Sequence, residues 1–357
     1  SYATGAQNHQ PDSEGLWSDR VDAAMQAYYE WNPIREPVSG ELYENYRSFD
    51  FGDLVSLHML ETRLTARDEQ LSLTSPSENV LAQVQTILSD AESAAAVLPA
   101  YGIDPTSETV AQELAVALTL VEVFSTDQNM VGEQQLEWLQ SEMTTSTAEY
   151  QVIGSQTLMA NMAIPLTLAQ ATADPTSPEA IAAFAPYAEA LVTYATTGDP
   201  TAYLALNAET KVPYNLDAWD GYAYEQQVIL ATAVQNQQKL ITLAGDTHNA
   251  WHSELKTVEG VDGLPSDVLA GYEFATPGVS APGLEAYFAQ LPPADVAAFF
   301  ENYVTDVQYA NTGDRGFLEM SFTDDAVSGQ FVYVDTVTST DFTTSRDASD
   351  LITVYDV

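Results

Sequence analysis

The sequence predicts a mixed α/β sandwich, and three stretches carry that prediction. Residues 240–244, LITLA, form a short run that is apolar on both faces, as a buried strand requires, and it stops abruptly at Gly245 and Asp246. Residues 18–31 and 131–143 instead repeat their apolar positions at the spacing of amphipathic helices. Residues 306–338 alternate apolar and polar positions between NTGD and DDAVSG turn signals, which reads as an antiparallel tail and excludes a purely helical bundle. A chain of 357 residues has ample length for a sizeable core in one large domain or two ordinary ones.

The first helix is expected over residues 18–31. Ser18 is placed to cap it, Val21, Met25, Tyr28 and Tyr29 form its apolar stripe, and Asn32-Pro33 ends it. NPIREP follows and holds Arg35 in extended backbone between prolines. Two readings fit Arg35: a guanidinium fork offered to a phosphoryl oxygen, or the partner of a surface carboxylate. Alternation through Tyr46, Ser48 and Phe49 leads over an FGD turn into a core strand, LVSLHMLE, ending at Glu61-Thr62-Arg63. His58 reads as a core histidine, while Arg63 and Arg67 either edge a site or pair with Glu61 and Asp68.

Residues 77–130 are rich in Ala, Leu and Val and turn at GIDPTS, which predicts a helical hairpin inserted into the larger fold. In the next helix Leu136, Leu139 and Met143 face inward alongside Trp138. Val152, Ile153 and Gly154 then form a strand, and Gln156 just beyond it either orients a ligand or closes the strand. Residues 166–210 are again Ala-rich and helical, the second expected insertion. Trp219, Asp220 and Tyr222 occupy a turn before a helix that feeds the 240–244 strand. Past that strand, GLPSDVLAGYEFATPGVSAPG runs a further strand into a turn where Gly278 and Gly283 serve as turn glycines, and residues 284–303 form a helix with a Pro-Pro break.

Charge is the unusual feature of the composition. Against 52 Asp and Glu stand 10 Lys and Arg, a formal net charge of −42, and the lysines are Lys211, Lys239 and Lys256 alone. Such a surface repels nucleic acid backbones and anionic membranes, so nucleic acid is excluded as a partner. Acid in excess with little lysine suits a protein held soluble in concentrated salt; calcium binding is the competing explanation. The chain has no cysteine, hence no disulfide, thiolate nucleophile or sulfur metal ligand, and hard metals held by oxygen and nitrogen remain. No apolar run is long enough to cross a membrane, and the first residues lack the basic and apolar regions of a signal peptide.

The chemistry concentrates in KLITLAGDTHNAW, residues 239–251. The carboxyl edge of strands in an open α/β sheet is where ligands bind, which places Asp246 and His248 where a site is built. A carboxylate and an imidazole separated by one residue can converge on one cation in a tight loop; equally, an Asp after a strand can be a cap or turn former and a nearby His can be solvated.

The ordered set NPIREP, LETR, GEQQLEWL with VIGSQTLMA, DAWDGY, LAGDTHNAW and EFATPGVS resembles the PhoD-like alkaline phosphatases, a branch of the calcineurin-like metallophosphatases, over nearly the whole chain apart from the two insertions. The resemblance implies a four-layer α/β/β/α sandwich with metals at the strand ends. It implies hydrolysis of phosphate mono- and diesters by attack of a metal-bound hydroxide, with phospholipase D-like hydrolysis as one alternative and a non-catalytic acidic calcium-binding protein as another. Iron(III) with calcium is the implied metal set, phosphate scavenging the implied role, and the periplasm or the extracellular space the implied location. In this pattern Asp246 and His248 match the metal-binding GDxH motif. Arg35 is the expected phosphate contact, and Asn249, Trp251, Gln156 and Trp219 are the expected pocket lining, with residues 276–280 as a wall. The family's upstream GDxxYE-like and DDHE segments do not occur in these residues, so the chain is expected to represent the carboxyl-terminal major part of the catalytic domain. The rest of the metal site is then expected on an amino-terminal piece or polypeptide, unless the product is catalytically dead.

Overall fold

A computed structural model of the chain describes residues 2–6, 8–171, 178–258 and 266–356. Its strands are β1 (Arg47–Phe51), β2 (Val55–Met59), β3 (Tyr150–Gly154), β4 (Ala163–Pro165), β5 (Lys211–Pro213), β6 (Lys239–Ala244) and β7 (Ala250–Lys256). They continue with β8 (Leu269–Ala275), β9 (Val307–Asn311), β10 (Arg315–Phe322), β11 (Val327–Val334), β12 (Thr344–Ser345) and β13 (Leu351–Val354). A seven-stranded sheet runs in the order β1-β2-β3-β6-β8-β7-β9, and β10 to β13 form a second, four-stranded sheet. Strands β2, β3, β6 and β8 are mutually parallel, β1 and β7 run antiparallel to them at the two sides, and β9 pairs antiparallel with β7 at the edge.

Alternation along the central strands explains the layering. Val152 and Ile241 face the second sheet and meet Val327, Phe331 and Val354 there, with Phe274 of β8 between them. Their sequence neighbours Ile153 and Leu240 point the other way, onto Leu139 and Met143 of the helix Gly132–Thr145 and Ile229 and Leu230 of the helix Ala223–Gln235. Both faces of the parallel strands are thus buried, which is why 240–244 lacks polar alternation. Each such side chain contributes on the order of 1.5–3 kcal/mol on leaving water. A third cluster sits at the β7 side, where Phe299, Phe300 and Tyr303 of the helix Pro293–Tyr303 cover Trp251, Ala275 and Ala310. The mixed α/β sandwich is as expected, and the described residues account for a helical layer and two sheets.

Several local expectations change. The first helix is Trp17–Trp31, and Ser18 falls inside it rather than at its cap; Leu16 holds the cap position with no side-chain hydrogen bond. The helical stretch after Ser77 breaks at Asp90, whose carboxylate accepts from the Ser93 N–H and starts a new helix, Ala91–Val97. NTGD does not close a hairpin: β9 pairs with β7 in the large sheet while β10 pairs with β11 in the small one, so the turn carries the chain between layers.

The helices from Glu78 to Glu122 bury Val80, Leu98, Leu114 and Leu118 in a cluster of their own. Residues 166–210 leave and re-enter at one point, because β4 and β5 on either side pair with each other. Leu168, Phe184 and Tyr187 of this segment nonetheless share the cluster of the helix Pro293–Tyr303, and residues 172–177 lie outside the described residues. Among the described residues no helix is long and apolar enough to cross a membrane.

Candidate active site

Because β2, β3, β6 and β8 are parallel, their carboxyl ends share one edge of the sheet. That edge carries Thr62 and Arg63 after β2, Ser155 and Gln156 after β3, residues 245–248 after β6 and Thr276 after β8. The loop after β6 is the most distorted of these. Asp246 has φ 70° and His248 φ 60°, both in the left-handed region. The Thr247 N–H donates to the Gly245 carbonyl at 2.9 Å, which makes Asp246 the centre of a γ-turn of the strained, positive-φ kind. Left-handed backbone costs an ordinary L-residue roughly 1–2 kcal/mol, and an Asp tolerates it better than most. The distortion turns the Asp246 carboxylate into the recess beyond the strand ends.

His248 is oriented by its neighbours. Its Nδ1 lies 2.7 Å from the Pro282 carbonyl, so Nδ1 carries the proton and donates, leaving Nε2 as a ligand atom. The Gly278 N–H donates to the His248 carbonyl at 3.1 Å, and a Cβ on Gly278 would approach His248 Cβ to 3.0 Å. A Cβ on Gly283 would stand 2.4 Å from the Asn249 amide nitrogen. Both glycines are required by close approach rather than by positive φ.

A charged network surrounds Asp246. Arg63 reaches Asp217 Oδ2 with Nη1 at 3.2 Å and Asp246 Oδ1 with Nη2 at 3.5 Å. Arg67, fully buried, holds Asp217 Oδ1 at 2.6 Å and lies over the Tyr222 ring at 4.9 Å. Asp217 is therefore shared by two guanidinium groups, and Arg63 bridges Asp217 and Asp246. Burial raises the Asp246 carboxyl above its ordinary range, opposed by Arg63 and reinforced by Asp217. A carboxylate in that setting gains most from an additional cation.

The loop opens into a cavity of about 660 Å³, within the roughly 300–1,000 Å³ typical of small-molecule sites. Asp246, Thr247 and His248 form one end, and Tyr214, Leu284 and several phenylalanines form the rest. Burial, with smaller contributions from Tyr287 and Asp246, raises the Tyr214 hydroxyl so that it stays protonated.

The other expected site residues lie elsewhere. Arg35 is exposed, its carbonyl accepting from Arg47 Nη1 at 2.8 Å, near β1. That strand is three positions from β6, roughly 14 Å at ordinary strand spacing, and Arg63 takes the place beside Asp246 instead. Asn249, Trp251, Gln156 and Trp219 do not line the cavity. Asn249 accepts from the Leu284 N–H and donates to the Thr312 carbonyl. Trp251 donates to Thr247 Oγ1 at 2.9 Å and Trp219 to Ser155 Oγ at 3.0 Å. Gln156 is spent between Thr62 Oγ1 and the Leu60 carbonyl, tying β2 to β3. Pro282 rather than residues 276–280 reaches the cavity wall. Arg63 and Arg67 pair with Asp217, while Glu61 caps the backbone of residues 63–65 and Asp68 binds Asn129. Asp217 is the first residue of DAWDGY, but nothing in the sequence pointed to its pairing with the two arginines.

Asp246 and His248 supply a hard oxygen and an imidazole nitrogen on one side of a metal position. Among the described residues no group of three or more His, Cys, Asp or Glu side chains converges as a complete metal site would. The donor set fits one flank of an ion and not its whole shell.

A parallel-centred sheet backed by a second sheet, with Asp and His on a strained loop at the strand ends, defines a mixed α/β sandwich with a candidate site at its strand ends. The sequence model of the family described as PhoD-like phosphatase matches residues 1–331, and the chain belongs to that family. Alkaline phosphatase D of Bacillus subtilis (strain 168) is 24% identical over 239 residues, which are 66% of this chain and 27% of that protein. A solved structure described as "Structure of PhoD" superposes with a TM-score of 0.55 at 20% identity, covering 100% of this chain and 52% of its own, and supports the fold. The chain thus spans about a quarter of the curated relative and about half of the solved one.

Proposed function

We propose that this chain provides one side of a phosphate-ester hydrolase site, acting on mono- or diesters. The observation that carries the reading is the strained Asp246–His248 loop at one end of a cavity, with Arg63 3.5 Å from the Asp246 carboxylate. Phosphoryl oxygens need cations, and in a chain with 10 basic residues against 52 acidic ones a guanidinium beside a strand-end carboxylate is a scarce resource. Arg63 binds and orients the phosphoryl group, while Arg67 holds Asp217 out of the way. His248, fixed through Nδ1, and Asp246 hold an ion by Nε2 and a carboxylate oxygen. A hard metal there supplies charge neutralisation and acidifies water toward a pKa of ~7. Further ligands come from outside the described residues. Iron(III) with calcium, phosphate scavenging and a periplasmic or extracellular location belong to this reading through family membership.

The test is metal content of the whole protein together with turnover of p-nitrophenyl phosphate and bis-p-nitrophenyl phosphate. Bound iron or calcium with turnover of either ester is the expected result. Absence of both metal and turnover would sink the reading.

A further inference from the structure

One wall of the cavity beside Asp246 is aromatic, opposite polar groups that include Gln70, Ser72 and Asn215, and that wall bears on the substrate. Phe184 meets Phe288 at 4.6 Å and Phe299 at 5.0 Å between ring centroids, both edge to face. Phe300 rests against Trp251 at 4.9 Å, and Trp251 is itself pinned to Thr247 in the Asp246 loop. The rings are therefore fixed relative to the two candidate metal ligands. Among the described residues, four phenylalanines line the space and no lysine or arginine does. A second phosphate or carboxylate would find no counter-charge there. An apolar ring gains there by burial and by offset contact with the aromatic faces.

We propose that the site selects phosphate esters whose organic group is an apolar ring. The phosphoryl end lies at Asp246, His248 and Arg63, and the ring lies among Phe184, Phe288 and Tyr287. This selection rests on the hydrolase reading above. The reaction is hydrolysis: water forms a new P–O bond, the P–O bond to the alcohol breaks, and the alcohol leaves carrying a proton from water. Tyr287 stands at the rim with 53% of its surface exposed, so it can be changed without opening the core.

The test compares kcat/KM for 3-phenylpropyl and propyl phosphate, whose leaving alcohols have similar acidity, so that differences report the cavity. Burying one phenyl group corresponds to roughly a 10- to 100-fold advantage for the phenylpropyl ester, carried mainly by KM. Tyr287→Glu reduces that advantage about tenfold. Equal kcat/KM for the two esters overturns the selection and leaves the hydrolase reading standing. If no ester turns over, the hydrolase reading fails, and calorimetry decides the cavity separately. Tighter binding of 3-phenylpropylphosphonate than of propylphosphonate, weakened by Tyr287→Glu, supports an apolar ring site, and equal binding overturns it.

Discussion

Asp246 combines a left-handed backbone with a carboxylate pushed above its ordinary range, two costs that serve no packing purpose in the loop. Strain of this kind persists where the surroundings over-determine it, and here Thr247, Pro282 and Gly278 hold the turn in place. Asp246→Gly is therefore expected to raise stability by about 1 kcal/mol in urea unfolding while abolishing turnover. Arg63→Gln removes the cation facing the phosphoryl position and is expected to raise KM about 10- to 100-fold, read from steady-state kinetics; an unchanged KM would remove Arg63 from the site. At this scale the sequence revealed Asp246 and His248, because an apolar run ending in Gly-Asp marks a strand end by itself. It pointed to Arg35 for the phosphate contact because two prolines made that residue look held. The Arg63–Asp217 pairing spans 154 positions, and only tertiary structure creates it.

The elements that frame the site are tied together by buried carboxylates. Glu225 of the helix Ala223–Gln235 accepts the N–H groups of Met130, Val131 and Gly132 at 2.7–2.8 Å, anchoring the start of the helix Gly132–Thr145. Glu225→Ala leaves those three donors buried and unpaired, and a loss of about 3 kcal/mol or more in chemical denaturation is expected. Glu273 on β8 likewise accepts from the Met159 and Ala160 N–H groups, and Asp220 accepts from that of Met162.

Burial pushes both Asp220 and Glu273 up to about 7. The folded chain holds these protons more tightly than the unfolded chain, whose carboxyls titrate near ~4. Their contribution to stability is full below about pH 4 and is lost as pH rises through about 7. His252, pushed down to about 4 by burial, acts in the opposite sense below its unfolded value of ~6.5, so the carboxyl effect shows above that point. Unfolding midpoints are expected to fall between about pH 6.5 and 8, less steeply in Asp220→Asn; equal slopes would contradict this assignment. Helices and strands here were readable from period, but these latches were not, since a buried Glu looks like a surface Glu in sequence.

Across the whole molecule, the α/β class was legible because central strands buried on both faces and amphipathic helices leave different periodicities. The layer change at NTGD was not, since turn residues show that the chain turns but not which sheet receives it. Charge acts at this scale as well. With a net charge of −42 the folded state repels itself over distances that salt screens, about 10 Å at 0.1 M and 3 Å at 1 M. The melting temperature is therefore expected to rise from dilute buffer to molar potassium chloride; a flat or falling profile would contradict the saline-habitat expectation.

The central claim is that the loop after β6 performs phosphate-ester chemistry. Asp246→Asn in the whole protein tests it most directly, because the change keeps the side chain's size and its tolerance of left-handed backbone while removing the charge. The account predicts turnover of p-nitrophenyl phosphate reduced at least ~1,000-fold, with bound metal lost and the melting temperature unchanged or slightly higher. Turnover within a factor of a few of the unaltered protein, with metal retained, would contradict it.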